Sequence, residues 1–534
     1  MFLRHVSRRD FILVLLGAAC FYTFSALSSP RKSSLLNNGL GYNEQTLTAI
    51  QTVTTTETKT AFPPVQTHVD LGLAQDFLET SLVAHAPGWT IFRNLYMANG
   101  TLLIVTSDPS QFPEPRMMTS TGLPGNLTND AQRMPTAKEM DFVTPQEAKT
   151  RWGGGIDGRH RVSTVEGTTL LFNDPPQFLN HYFHFVAELM FGSWAFLYGA
   201  FHDQTAKPPA SAEPSFNLPL ISNSVPTIDR AIFIHSDVEG WRDAPGFNGY
   251  FVRAVFPSMT VEVETDWLDR IKATANTEIR RAWHFPLALL TDRSAAFRGP
   301  ITGAYTQRTA AEPWMIMAKA KKIDLIGNWW ASMRSALVRY AGGEVHEDLS
   351  PELQLPETVV ITYINRQGTR RHLLEEDNRA LIAAMEDLVE RKNRIEDGPR
   401  WEFNNVHAEQ LSLDEQIRFA AKTTIMLGVH GNGLTHLVLA KPNRLSAVVE
   451  LFIPGGFARD YEWTSRSLGI THYSVWFNES FTHPHEPEWP DYPEGFHGPS
   501  IPVDGPFVAK LIEEHVAARE KGVLADNSPV NDQH

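Results

Sequence analysis

Four short stretches of the 534-residue sequence carry side chains able to do chemistry. In GVHGNGLTH, residues 428–436, an apolar run ends in glycines and passes into a second apolar run. A strand turning into a helix there would expose backbone N–H groups at the helix start, where a diphosphate binds well. Asn432 between Gly431 and Gly433 leaves the backbone open to close approach, and His430 and His436 flank the turn. A plain tight turn is the alternative. The dinucleotide pattern G-x-G-x-x-G fails, because Gly431-x-Gly433 is followed at the third place by His436. The second stretch, Asn365 to Arg371, places Arg366, Arg370 and Arg371 just after an apolar run. Guanidinium forks suit a diphosphate, and ligands of open α/β sheets sit outside the carboxyl ends of the strands. A solvated basic loop remains the other reading.

Glu450 interrupts the apolar run VVELF, so its carboxylate needs a partner; a ribose hydroxyl and Arg459 are the two candidates. In HYFHFVAE, His181, His184 and Glu188 fall on one face if the segment is helical. That spacing fits a metal, a general base beside an acceptor hydroxyl, or a polar stripe satisfied against a neighbouring lobe. The segment lacks H-E-x-x-H, and no third metal ligand can be named. The sequence also contains no Asp-x-Asp, no G-x-S-x-G and no Walker lysine motif.

The elements that must hold these groups are clearest in the second half. Thr358–Ile364 predicts a strand, 375–391 a helix, 401–407 a short strand, and 424–429, 446–452 and 471–476 three more strands. Ser412 and Glu415 have capping-box spacing and open a helix. Strands alternating with helices imply a parallel sheet. Residues 346–480 therefore read as a Rossmann-like lobe, preceded by an α/β lobe over 75–345 and followed by a crossing tail and terminal helix over 481–534. Within the first lobe, 103–106 and 231–235 predict strands, and 181–200 an apolar helix.

Length and composition bound the rest. With 42% hydrophobic and 20% charged residues the chain is globular, and its size suits two or three domains. The charge, 47 − 61 = −14, argues against a nucleic-acid partner. A single cysteine, Cys20, excludes a disulfide scaffold and a cysteine zinc cluster. Residues 11–27 are uncharged and about 26 Å long as a helix, with Arg4, Arg8 and Arg9 before them and Arg31 and Lys32 after. They predict a transmembrane signal anchor with a cytosolic tail over 1–10, cleaved and twin-arginine signals being the competing readings. Residues 28–74 read as a stem, and Asn99, Asn126 and Asn478 begin three N-glycosylation triplets.

Taken in order, HYFHFVAEL, Arg366-x-x-x-Arg370-Arg371 with Asn378, and GVHGNGLTH with VVELF resemble glycosyltransferase family 61 over about residues 160–480. That family includes an EGF-domain-specific O-GlcNAc transferase, a protein O-mannose GlcNAc transferase and a plant xylosyltransferase. The resemblance implies an inverting, metal-independent enzyme of the two-lobed GT-B type. It also implies a type II Golgi or endoplasmic reticulum membrane protein with a luminal catalytic part. The substrates would be a UDP-sugar donor, most readily UDP-xylose or UDP-N-acetylglucosamine, and a glycan or glycoprotein acceptor. Arg366, Arg370, Arg371, His430, Gly431, Asn432, Gly433 and Glu450 would hold the donor, and Glu188 or His184 would take the acceptor's proton. Three positions depart from the family pattern: Asn432 stands where it has alanine, His181 where it has asparagine, and Phe185 where it has tryptophan.

Overall fold

The computed structural model describes residues 77–126, 128–153, 161–202, 225–345, 352–396, 398–487 and 500–523. The expected tail, anchor and stem, with Cys20, lie outside the described residues, as do parts of the crossing tail. Among the described residues no helix is long and apolar enough to cross a membrane. The protein is mixed α/β, with two large sheets.

The second-half sheet follows the expectation closely. Strands β10 (Thr358–Ile364), β12 (Arg400–Val406), β13 (Ile425–Val429), β14 (Ala447–Phe452), β15 (Thr471–Trp476) and β16 (Glu479–Phe481) lie in the order β12-β10-β13-β14-β15-β16. Every pair is parallel except β15 with β16. Central strands buried on both faces read as continuous apolar runs, which is how TVVITYI and AVVELF look in the sequence. Helix Glu375–Asn393 carries acids in its first turn and Arg391 and Lys392 in its last, matching its dipole. Ser412 and Glu415 form the expected capping box before Leu413–Lys422.

Alternation divides the residues of this sheet between two cores. Val359, Ile361, Ile425, Leu427, Val449 and Leu451 pack on helices Glu375–Asn393 and Gly505–Glu520. Ile364, Met426 and Val448 face the other way. They join a core that also holds Phe191, Trp194, Trp329, Trp330 and Trp463.

The first-half sheet departs from a simple Rossmann-like lobe. It has nine strands: β1 (Ser81–Ala86), β2 (Trp89–Ala98), β3 (Thr101–Val105), β4 (Met140–Val143), β5 (Val162–Thr164), β6 (Thr168–Phe172), β7 (Arg230–Phe233), β8 (Thr260–Glu262) and β9 (Ala282–Thr291). The main path is β4-β3-β2-β9-β6-β7-β8, with β2 antiparallel to β1, β3 and β9. The block β9-β6-β7-β8 is parallel, as are the pairs β3-β4 and β5-β9. The hairpin β2-β3 turns at Asn99 and Gly100, both at positive φ, which an apolar-pattern reading of the region passed over.

Trp330 Nε1 donates to the Val438 carbonyl at 2.9 Å, and Trp329 Nε1 to the Ser467 carbonyl at 3.2 Å. The aromatic core therefore runs unbroken from the helices of the first half into those beside the second sheet. A large apolar interface of this kind opposes hinge motion between the two halves.

Candidate active site

The carboxyl ends of β10, β13 and β14 open on a cleft of about 670 Å3, within the range of small-molecule sites. Its walls include His181, His184, Arg293 and Arg308 from the first half, and Arg371, His430, Gly431, Asn432 and Tyr461 from the second.

His184 and Glu188 sit on Phe183–Met190, which is a π-helix running into the α-helix Phe191–Phe201. π-turns recur at functional sites, and this one was expected as ordinary helix. His184 Nδ1 bonds Glu188 Oε2, so the two residues do share a face. Glu188 is fully buried and its oxygens are taken: Arg293 Nη1 donates to Oε2 at 2.9 Å and the Thr309 amide to Oε1 at 3.1 Å. The expectation that Glu188 itself removes a proton is thus corrected. It cannot reach the cleft; His184, with 21% of its side chain exposed, can. Burial alone would push the Glu188 carboxyl up, but Arg293 and His184 outweigh it and hold it well below the usual range. His181 borders the cleft beside His184, ring centroids 4.9 Å apart. Its ring edge is open, yet burial of the rest, together with His184, lowers it to about 4.

The depressed Glu188 value has a sign in stability. Its folded value lies below the ~4.3 of an unfolded chain, so its contribution is complete above about pH 4.3 and is lost as pH falls through the lower folded value. Glu188→Gln leaves the buried Arg293 with only the longer 3.8 Å pair to Asp174. The substitution is expected to cost at most about 3–5 kcal/mol at neutral pH, the full cost of an uncompensated buried charge, and to flatten the acid limb of stability against pH. Circular dichroism melts from pH 3 to 7 check this, and an unchanged acid limb contradicts it.

The second histidine–glutamate pair is built by strand register. Gly428 faces Glu450 across β13-β14, and Val448 faces His472 across β14-β15. His430, two residues past Gly428, and His472 therefore stand diagonally on either side of Glu450, on one face of the sheet. His430 Nδ1 bonds Glu450 Oε1, and His472 Nε2 bonds Oε2 at 2.8 Å. Glu450 is fully buried. Both partners expected for it are corrected: its oxygens are closed off from a ribose by the two imidazoles, and Arg459 lies instead at 3.6 Å from Glu462 and 3.5 Å from Glu486. Burial, reinforced by Asp460, pushes the Glu450 carboxyl well above its usual range, and Arg371 opposes this without reversing it. Burial also lowers His472 to about 3. His472 was missed because a histidine inside THYSVW reads as strand filler; only the register with Glu450 reveals it.

The three arginines of the basic loop divide. Arg371 lines the cleft, half-buried, and Arg370 is exposed and forms no part of its wall. Arg366 turns inward and donates to the His430 carbonyl at 3.1 Å. The turn between β10 and the short strand β11 (His372–Leu373) sends successive side chains in different directions, which spacing alone does not show. Asn378 is buried and accepts from Tyr363 Oη at 2.9 Å, a structural bond. Two cationic wall residues lay outside the sequence expectation. Arg293 follows the carboxyl end of β9, where the strand-end rule would have found it; Arg308 pairs with Asp460 at 2.6 Å.

Gly431–Gly433 lie where expected, but the following segment, Asn432–Leu439, is 3-10 rather than α-helix. Asn432 Oδ1 accepts from the Phe183 amide at 3.2 Å, capping the π-helix across the cleft. His436 is not at the site: it is buried between Tyr182 Oη at 3.4 Å and Gln416 Oε1 at 3.1 Å. Gly431 has φ +155°, and a Cβ there would lie 1.4 Å from Arg366 Nη1. Gly431→Ala is therefore expected to displace Arg366 from the His430 carbonyl and lower the melting temperature by several degrees; an unchanged melt contradicts this.

Among the described residues Glu462, His483 and Glu486 bring potential metal ligands within 4.8 Å of one another. Arg466 Nε already lies 2.9 Å from Glu462 and its Nη1 3.2 Å from His483 Nε2, while Arg459 approaches both carboxylates. The charges are balanced within the protein, so the group is an ion-pair network. All three sequon asparagines are exposed, and Asn126 stands at the rim of the cleft.

A parallel sheet whose strand ends meet a cleft lined by arginines and histidines gives an α/β fold with a polar cleft at its strand ends. The family is glycosyltransferase family 61: the Glycosyltransferase 61 profile matches residues 182–449, half of the chain, and the chain belongs to it. No curated protein matches the sequence.

Proposed function

We propose that the protein is an inverting glycosyltransferase of the GT-B type that moves a sugar, xylose or N-acetylglucosamine, from a UDP-sugar to a hydroxyl of a glycan or glycoprotein. The observation that carries this reading is the pair of histidine–glutamate couples on one cationic cleft. Their glutamates are driven in opposite directions, Glu188 toward its anion and Glu450 toward its acid. Groups pushed apart in this way divide the roles of base and acid.

In this reading Arg371, His430 and the amides of Gly431–Gly433 meet the diphosphate and stabilise it as it leaves. His184 Nε2 takes the acceptor hydroxyl's proton, and the imidazolium that forms is stabilised by the ionised Glu188. The hydroxyl oxygen attacks the anomeric carbon from the side opposite the diphosphate, one C–O bond forming as the other breaks, which inverts the anomeric configuration. Arg293, locked to Glu188 and lying 4.8 Å over the Phe178 ring, keeps that dyad in place.

Family membership supports a sugar donor and a glycan acceptor. The hydrophobic segment 11–27 and the three exposed sequons support a type II, luminal placement in the Golgi or endoplasmic reticulum. The cleft's positive charge is supplied by arginines, so transfer is expected to survive excess EDTA. Loss of activity in EDTA, restored by a divalent cation, would contradict the metal-free mechanism. Release of UDP from a panel of UDP-sugars, with the product anomer read by NMR, tests the function itself.

A further inference from the structure

The buried chain His472–Glu450–His430 has more parts than holding one histidine requires. A neutral carboxyl has a single O–H, so it can donate to only one of its two imidazoles; the other must offer N–H to the remaining oxygen. When His472 Nε2–H donates to Oε2, the acid proton sits on Oε1 and points at His430 Nδ1. His430 then carries its own proton on Nε2, the nitrogen turned from Glu450, on a ring that lines the cleft.

We propose that this chain is a proton relay to the leaving diphosphate, with Glu450 as the proton source and His472 as the positioning residue that sets its direction. The inference rests on the reading of the cleft as a sugar-nucleotide site. As the bond from the anomeric carbon to the diphosphate oxygen breaks, the electron pair stays on that oxygen. His430 Nε2–H passes its proton to the diphosphate, and Glu450 Oε1–H passes its proton to His430 Nδ1. Glu450 is left as a carboxylate accepting two N–H bonds. The proton taken by His184 from the acceptor restores Glu450 through solvent, so turnover is proton-neutral.

The surroundings fit this direction of transfer. Asp460 and Glu462 add negative field at Glu450, and Arg371 opposes it without reversing it. His472 feels Glu486 and Arg466 with opposite signs. His430 packs on Phe452 and Tyr461, at 5.2 and 5.6 Å between ring centroids, and Arg366 holds its carbonyl. Glu188, by contrast, touches Arg293 directly and can only accept.

Glu450→Gln provides the test, since an amide reproduces the neutral carboxyl's donor and acceptor but has no acid proton to give. UDP affinity is expected to stay within about threefold of wild type while kcat for transfer falls about 100-fold. His472→Leu should lower kcat about tenfold, and His472→Gln, which keeps an N–H toward Oε2, should restore it to within about threefold. Wild-type kcat in Glu450→Gln overturns the relay. Loss of UDP affinity in a folded Glu450→Gln also overturns it, as does equal behaviour of the two His472 variants. If the wild-type protein binds no UDP, the sugar-nucleotide reading itself has failed, and the relay with it.

Discussion

Replacing His184 by alanine is expected to lower the rate of sugar transfer by about 10²–10⁴-fold, the contribution of a positioned general base. UDP affinity should stay within a few fold of wild type. The selectivity follows from the geometry: His184 stands on the first-half side of the cleft, held by Glu188, while the diphosphate-facing groups belong to the second sheet. The fold should tolerate the change, because Arg293 and Thr309 still satisfy Glu188. Steady-state kinetics with a titration calorimetry measurement of UDP separates the two quantities. A fall in affinity matching the fall in kcat would place His184 in donor binding instead.

The second large effect belongs to Arg371. A charge-assisted hydrogen bond to a phosphate is worth about 1.5–3 kcal/mol, so Arg371→Ala should weaken UDP binding by about 10–100-fold. Arg370→Ala, on the exposed side of the same turn, should change it less than about twofold. Arg366→Ala should show a mixed effect, because that side chain supports the His430 carbonyl. Equal losses from Arg370 and Arg371 would mean that the loop acts as a diffuse cationic patch and that the place of Arg371 in the cleft wall is unimportant.

Much of the scaffold was legible in the sequence where local rules decide. The strands Thr358–Ile364 and Thr471–Trp476 and the capping box at Ser412 fall at their expected residues, because β-branched runs and a side-chain cap are local signals. In the first half the strands expected at 103–106 and 231–235 fall in β3 and β7, but the sheet's order was not legible, since its strands pair across long separations, β2 with β9 for example, and mix parallel and antiparallel. At the site, the sequence picked out His184, Arg371, His430 and Gly431 correctly as neighbours. It assigned Glu188 and Glu450 to substrate when both are buried partners of imidazoles. A carboxylate inside an apolar run announces that it has a partner; which partner is set by register and by side chains far along the chain. His472 and Arg293, 22 residues from Glu450 and 105 from Glu188, are of that kind.

The central claim is that the two imidazole–carboxylate couples serve one transfer reaction on a UDP-sugar. The most direct measurement is UDP release from UDP-xylose and UDP-N-acetylglucosamine by the wild-type protein and by His184→Ala. The account predicts release from at least one donor by the wild type and a loss of about 100-fold or more in the variant. UDP binding with no release from any sugar nucleotide, or release that is indifferent to His184, would contradict it.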